Sequence, residues 1–203
     1  RNDQLDEIEG AIAELIQVPK EYETAVEIAL GAATQHIVVD NEKNARAAIQ
    51  YLKKNSYGRA TFLPMNVIKE RSIPATQLVA IKGHQAFIGV ASDLISYEGR
   101  YQSVISNLLG TILITTDLKG ANELASLVGH RYRIVTLDGD VVNPGGSMTG
   151  GAVKQKSNSL LSRGRELEAI TKKLVDMEAK TAELEKTVKD KKKLIAEQEE
   201  MLE

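Results

Sequence analysis

Near the C-terminal end, seam residues recur at alternating spacings of three and four: Leu167, Ile170, Leu174, Met177, Thr181, Leu184, Val188, Lys191, Ile195, Gln198 and Leu202. A strand cannot use that period, and a core-facing helix presents a wider stripe. One solution is left, a long helix that pairs through a narrow seam. Neither glycine nor proline occurs after Gly164, and the residues between seam positions are mostly Glu and Lys. Thr181, Lys191 and Gln198 are polar types that set register within a seam at some cost in stability. About 45 residues rising 1.5 Å each would reach roughly 65–70 Å, and such a helix is unstable without a partner. A shorter 3-4-3 seam, Leu5, Ile8, Ile12 and Leu15, opens the chain. It predicts an acidic coiled-coil helix to about Val18, where Pro19 interrupts. That seam can cover only the first turns of the long one.

Between the seams the period changes. Glu21 to Leu30 reads as a helix with Tyr22, Val26, Ala29 and Leu30 on one face and Gly31 as its stop. The β-rich run Gln35–Val39 precedes Asp40 as a cap and a helix over Asn44–Lys54 that buries Ala45, Ala48, Ile49 and Leu52. Ala60–Leu63 is the next predicted strand, closed by Pro64. Asn66 to Gln77 is irregular, with a short helical turn, and Val79–Ile81 and Phe87–Val90 read as strands. A helix over Tyr101–Leu109 ends at Gly110. The β-branched run Thr111–Thr115 is the clearest strand, and Asp117 caps a helix over Leu118–Val128. Tyr132–Leu137 and Val141–Val142 close a hairpin around Asp138-Gly139. The alternation predicts an α/β fold of two small mixed lobes, split within residues 67–85, with antiparallel coiled-coil helices on either side. The segments are a coil root over 1–18, a compact domain over 19–153 and a coiled-coil arm over 154–203.

Composition removes whole classes of function. With no cysteine in 203 residues, disulfide scaffolds, thiolate zinc sites and cysteine nucleophiles are excluded. Trp is absent and aromatics make up 4%, which argues against a stacking platform for single-stranded nucleic acid. A net charge of −2 projects no global field toward nucleic acid or membrane, so any basic patch is local. No apolar run approaches the roughly 20 residues of a membrane span, and no signal peptide opens the chain; the reduced cytoplasm is the expected setting. His36, His84 and His130 stand apart without a second ligand at metal spacing and read as structural. Asp138 and Asp140 flank a turn glycine, and no G-x-S-x-G elbow occurs. No catalytic residue, metal or cofactor is assigned.

Where the globular text stops stands Asn143-Pro144-Gly145-Gly146-Ser147-Met148-Thr149-Gly150-Gly151-Ala152-Val153. Glycine lacks a Cβ, so Gly145, Gly146, Gly150 and Gly151 can take φ > 0 or let another backbone come close. Three readings compete. A phosphate cradle would need a following Lys-Ser/Thr and a helix N-terminus, whereas a strand-like Ala152-Val153 follows. A plain linker would carry more serine and charge. The third is a contact of backbone upon backbone. After the glycines come Lys154, Lys156, Arg163 and Arg165, with no acidic residue until Glu166. A solvated turn at the root of a helix explains such a run as readily as a phosphate-binding patch. Lys53 and Lys54, at a helix end, and Arg131 and Arg133 would extend the patch, although lysines there also answer the helix dipole.

Coil, compact α/β domain, glycine-pair loop, coil: this order resembles the hinge region of structural maintenance of chromosomes (SMC) proteins, the bacterial homodimeric type above all. Gly145-Gly146-Ser147-Met148-Thr149-Gly150-Gly151 matches the hinge glycine motif of that family without gaps, and the resemblance covers the whole chain. It implies a non-enzymatic homodimerisation module of a chromosome condensation and segregation ATPase, nucleoid-associated in the cytoplasm. Gly145, Gly146, Gly150 and Gly151 would form the dimer interface. Lys154, Lys156, Lys53, Lys54, Arg163 and Arg165 would contact DNA without sequence preference at the coil junction. The coil partner is an arm of the same chain. No G-x-x-x-x-G-K-[ST] occurs, so ATP and Mg are expected only at head domains outside this sequence, and the unequal arms suggest a piece of a longer chain. The rival reading is a nucleotide-binding α/β enzyme domain with a coiled-coil oligomerisation tail.

Overall fold

The computed structural model describes residues 8–152 and 160–201, which divide into two units, residues 1–162 and 163–203. The first described element is a strand, Ile8–Ala11 (β1), followed by one helical turn, Ile12–Leu15 (α1), and a short strand, Ile16–Gln17 (β2). This corrects the coiled-coil helix expected through Val18; of its seam, Leu5 lies outside the described residues. Gly10, at φ +142°, takes a conformation no helix contains. Ile8–Ala11 instead pairs antiparallel with Ile37–Val39. Ile12 and Ile16, 0% and 7% exposed, serve the core and not a seam. The Glu9 carboxylate accepts from the Arg100 guanidinium at 2.7 Å and from the Tyr101 hydroxyl at 2.9 Å. Burial first, and the Glu9 contact next, push the Tyr101 phenol above its ordinary value.

Glu23–Leu30 (α2) stops at Gly31, φ +53°. Ile37–Val39 (β3), Glu42–Asn55 (α3) and Phe62–Pro64 (β4) complete a three-stranded sheet of order β1-β3-β4, with β3 and β4 parallel. Asn41, one residue past the expected Asp40, caps α3 by accepting from the Asn44 N–H at 3.0 Å. Ile49, expected inside, is 39% exposed, so Ala45 and Ala48 carry the packing of this helix. Pro64 ends inside the strand, which an edge position tolerates.

Ala75–Lys82 (α4) overturns the strand expected at Val79–Ile81. Pro74 opens the helix, its carbonyl accepting from the Gln77 and Leu78 N–H groups, and only Ile81 of that triplet is buried. A short apolar run does not separate strand from helix by period alone. Phe87–Val90 (β5), Ser96–Tyr97 (β6), Gln102–Leu109 (α5), Ile112–Thr115 (β7), Leu118–Leu127 (α6), Arg133–Thr136 (β8), Val141–Val142 (β9) and Met148–Thr149 (β10) follow. Five of these strands make a sheet of order β10-β9-β8-β7-β5, in which β7 is buried at every residue. Alternate residues of β7 serve opposite faces, as the strand period requires. Ile112 and Ile114 pack with Val26 of α2 and Ile105 of α5, while Leu113 packs with Ile81 of α4 and Leu124 of α6. Asp117 caps α6 as expected, accepting from the Gly120 N–H at 2.8 Å. That bond, with the Thr116 hydroxyl next, holds its carboxyl below the ordinary range.

The architecture is mixed α/β, with one sheet on either side of residues 67–85. Both halves feed one core cluster through Val38, Ile105 and Ile114, and β2 pairs across to β6. Leu160–Glu200 (α7) begins inside this first unit, where Leu161 is 8% exposed. The second unit is the rest of that helix. Its seam residues Leu167, Ile170, Leu174, Met177, Leu184 and Val188 are each more than half exposed.

Candidate functional site

Two glycine pairs bracket β10, the outer strand of the five-stranded sheet. The chain leaves β9, turns through Asn143-Pro144-Gly145-Gly146-Ser147 and returns, with Met148 opposite Val142 and Thr149 opposite Val141. The turn is closed by the Asn143 N–H to the Ser147 carbonyl at 2.8 Å and the Gly146 N–H to the Asn143 carbonyl at 2.9 Å. The Gly145 N–H donates to the His130 carbonyl at 2.9 Å, which ties the loop to the end of α6.

Glycine is needed here for two different reasons. Gly145 (φ +85°), Gly146 (φ +96°) and Gly151 (φ +133°) hold left-handed conformations that a Cβ disfavours. At Gly145 and Gly151 a Cβ would meet nothing within 4 Å; at Gly146 the nearest atom is His130 Nδ1, 3.7 Å away. Gly150 has no such conformation. A Cβ there would lie 2.3 Å from Oδ1 of Asp140, the same oxygen that accepts from the Gly151 N–H at 3.3 Å. Met148 and Thr149 are exposed, and the strand order leaves one side of β10 without a neighbour among the described residues. The strand expected at Ala152-Val153 is thus corrected: Ala152 is irregular, Val153 lies outside the described residues, and the pairing falls between the glycine pairs. Asp140 and His130 support this edge, although in the sequence the one shows only as a turn residue and the other as a lone histidine.

Lys53 and Lys54 occupy the last turn of α3 and are exposed. Arg163 and Arg165 are exposed on α7 in the other unit, and Lys154 and Lys156 lie outside the described residues. Arg133 does not extend a patch: its guanidinium donates to the carbonyls of Ala29 at 3.2 Å and Ile28 at 3.4 Å, closing the end of α2. Arg131 is exposed.

A polar hollow of about 260 Å³ lies elsewhere, lined by His84, Thr116, Asp117, Lys119 and Glu123 among others. It sits at the start of α6, where backbone N–H groups would favour an anion. Asp117 already takes one of those N–H groups, and Glu123 holds Nε2 of His84 at 3.0 Å. A phosphate would therefore face two carboxylates, which speaks against the nucleotide reading. Among the described residues no group of His, Asp and Glu is arranged to hold a metal ion.

Residues 5–125 match the family model described as the SMC proteins flexible hinge domain; the match ends before the glycine pairs. The chromosome partition protein Smc of Bacillus subtilis (strain 168) is 63% identical over 187 residues, covering 92% of this chain and 16% of that protein. This chain thus spans about a sixth of that relative's length. A crystal structure of an asymmetric dimer of the Geobacillus stearothermophilus SMC hinge domain superposes with a TM-score of 0.83 at 56% identity, covering 96% of this chain and 78% of that one. The Pyrococcus furiosus SMC hinge domain gives 0.61 at 30% identity, with coverage of 76% and 78%.

Proposed function

The chain belongs to the SMC flexible-hinge family, and from that premise we propose that it is the homodimerisation hinge of a bacterial chromosome partition protein, two copies docking through the glycine-bearing edge at β10. The observation that carries this reading is the side of β10 that has no strand neighbour among the described residues, flanked by Gly145 and Gly151, where a Cβ would meet none of the described atoms within 4 Å. An unpaired row of N–H and C=O groups is a template for another strand, and a closed pair removes the exposed edge. The Geobacillus relative is described as a dimer, which supports the same occupant here. The hinge performs no chemistry; any ATP and Mg would belong to head domains beyond this sequence. Near the coil junction Lys154, Lys156, Arg163 and Arg165, with Lys53 and Lys54, would contact DNA phosphates without reading sequence. The protein would act in the cytoplasm on the nucleoid; among the described residues no helix is long and apolar enough to cross a membrane.

Sedimentation equilibrium tests the core of this reading. At micromolar concentration the expected species has about twice the 22.2 kDa chain mass, and dilution should return the single-chain mass. A species of one-chain mass at every concentration would contradict it.

A further inference from the structure

We infer that Asp140 is the positioning residue of the docking edge, its carboxylate holding the second glycine pair so that β10 is presented in register to a second copy of the chain. The inference rests on the homodimerisation reading. β10 has two residues, each paired among the described residues to β9 alone, and so short a strand does not order itself. Its near end is tied by backbone bonds, from Gly145 to His130 and from Asn143 to Ser147. Its far end is tied by a side chain, through the Gly151 N–H to Oδ1 of Asp140 at 3.3 Å.

Asp140 is itself fixed. Its carbonyl accepts from the Thr136 N–H at 2.9 Å, and its N–H donates to Oγ1 of Thr136 at 3.0 Å, a residue with 0% exposure. The carboxylate thus leaves a rigid hairpin turn and spans the sheet edge. Gly150 records the contact: its backbone conformation suits any residue, yet a Cβ would sit 2.3 Å from Oδ1 and 3.1 Å from Cγ of Asp140. One glycine pair therefore has two tasks. At Gly151 a Cβ would meet none of the described atoms within 4 Å, and Gly150 leaves room for the strut. What the strut requires is an acceptor oxygen placed at the Gly151 N–H, and Asp140 supplies it to the end of β10 that has no backbone tie of its own among the described residues.

The test compares Asp140→Ala and Asp140→Asn with the unaltered chain by sedimentation equilibrium, with thermal melting alongside and Gly145→Val/Gly151→Val as the reference for a blocked edge. Asp140→Ala is expected to raise the dimer Kd about tenfold or more, with a far smaller change in melting than a core substitution gives. Asp140→Asn retains an acceptor oxygen at the same place and should stay within about threefold of the unaltered Kd. Dimerisation of Asp140→Ala at the unaltered Kd would overturn the inference, as would equal weakening in both variants, since Asn keeps the strut. If the Gly145→Val/Gly151→Val chain also dimerises normally, the docking reading itself fails. If only that chain comes apart, the role of Asp140 alone is withdrawn.

Discussion

A chain carrying Gly145→Val and Gly151→Val is expected to be monomeric at concentrations where the unaltered chain is dimeric, with the Kd raised by about a thousandfold, equivalent to about 4 kcal/mol. A branched side chain at either glycine adds bulk beside the open edge and keeps a second backbone from coming as close as glycine allows. At both positions a Cβ meets none of the described atoms within 4 Å, so the first added carbon is accommodated in the single chain. Each substitution also strains its own loop, because φ of +85° and +133° suits glycine and costs another residue roughly 1–2 kcal/mol. That cost falls at the edge of the sheet, away from β7 and its two core faces. Far-ultraviolet circular dichroism should therefore remain that of a folded α/β protein. Loss of helix and strand signal would mean the substitutions had broken the fold, and Gly145→Ala/Gly151→Ala, with less bulk, would then carry the test.

DNA affinity should depend steeply on salt if the junction cations act on phosphates. Four neutralised contacts, by Lys154, Lys156, Arg163 and Arg165, give a log–log slope of about −3.6 for duplex DNA, or a loss of about a hundredfold between 50 and 200 mM salt. Replacing Lys154 and Lys156 with alanine removes two contacts and should make the slope shallower by about 1.8. A titration at several salt concentrations reads this directly, and the slope isolates phosphate contacts from any other source of affinity. An unchanged slope would remove both lysines from the interface. A slope near zero in the unaltered chain would remove DNA from the account and leave the dimerisation reading standing.

What could be read from the letters follows from the physics each residue carries alone. The glycine pairs were legible because a missing Cβ is a backbone property, independent of context. Asp117 was legible for a similar reason, its cap bond reaching only to Gly120. The long helix declared itself through an unbroken period over many turns. Errors arose where a distant partner decided. Leu5, Ile8, Ile12 and Leu15 suit a coil locally, yet Ile8–Ala11 pairs with β3, and no local pattern announces that partner. Val79–Ile81 has strand composition, but Pro74 starts a helix and α6 supplies the face that buries Ile81. β10 escaped notice because two residues between glycines show no period at all. The support from Asp140 needed coordinates, since it joins the turn between β8 and β9 to a residue beyond the end of β10.

The central claim is that the open main chain beside β10 is covered by a second copy of this chain. Hydrogen exchange of the amides of Met148 to Gly151, followed across protein concentration, tests it most directly. In the single chain these residues are exposed, so well below the dimer Kd their outward amides should exchange rapidly. Above it, strand pairing should slow at least one of them by about the ratio of paired to free chain, while core amides of β7 stay unchanged. Exchange at Met148–Gly151 that is equally fast at every concentration, in a sample that sediments as a dimer, would place the interface elsewhere and contradict the account.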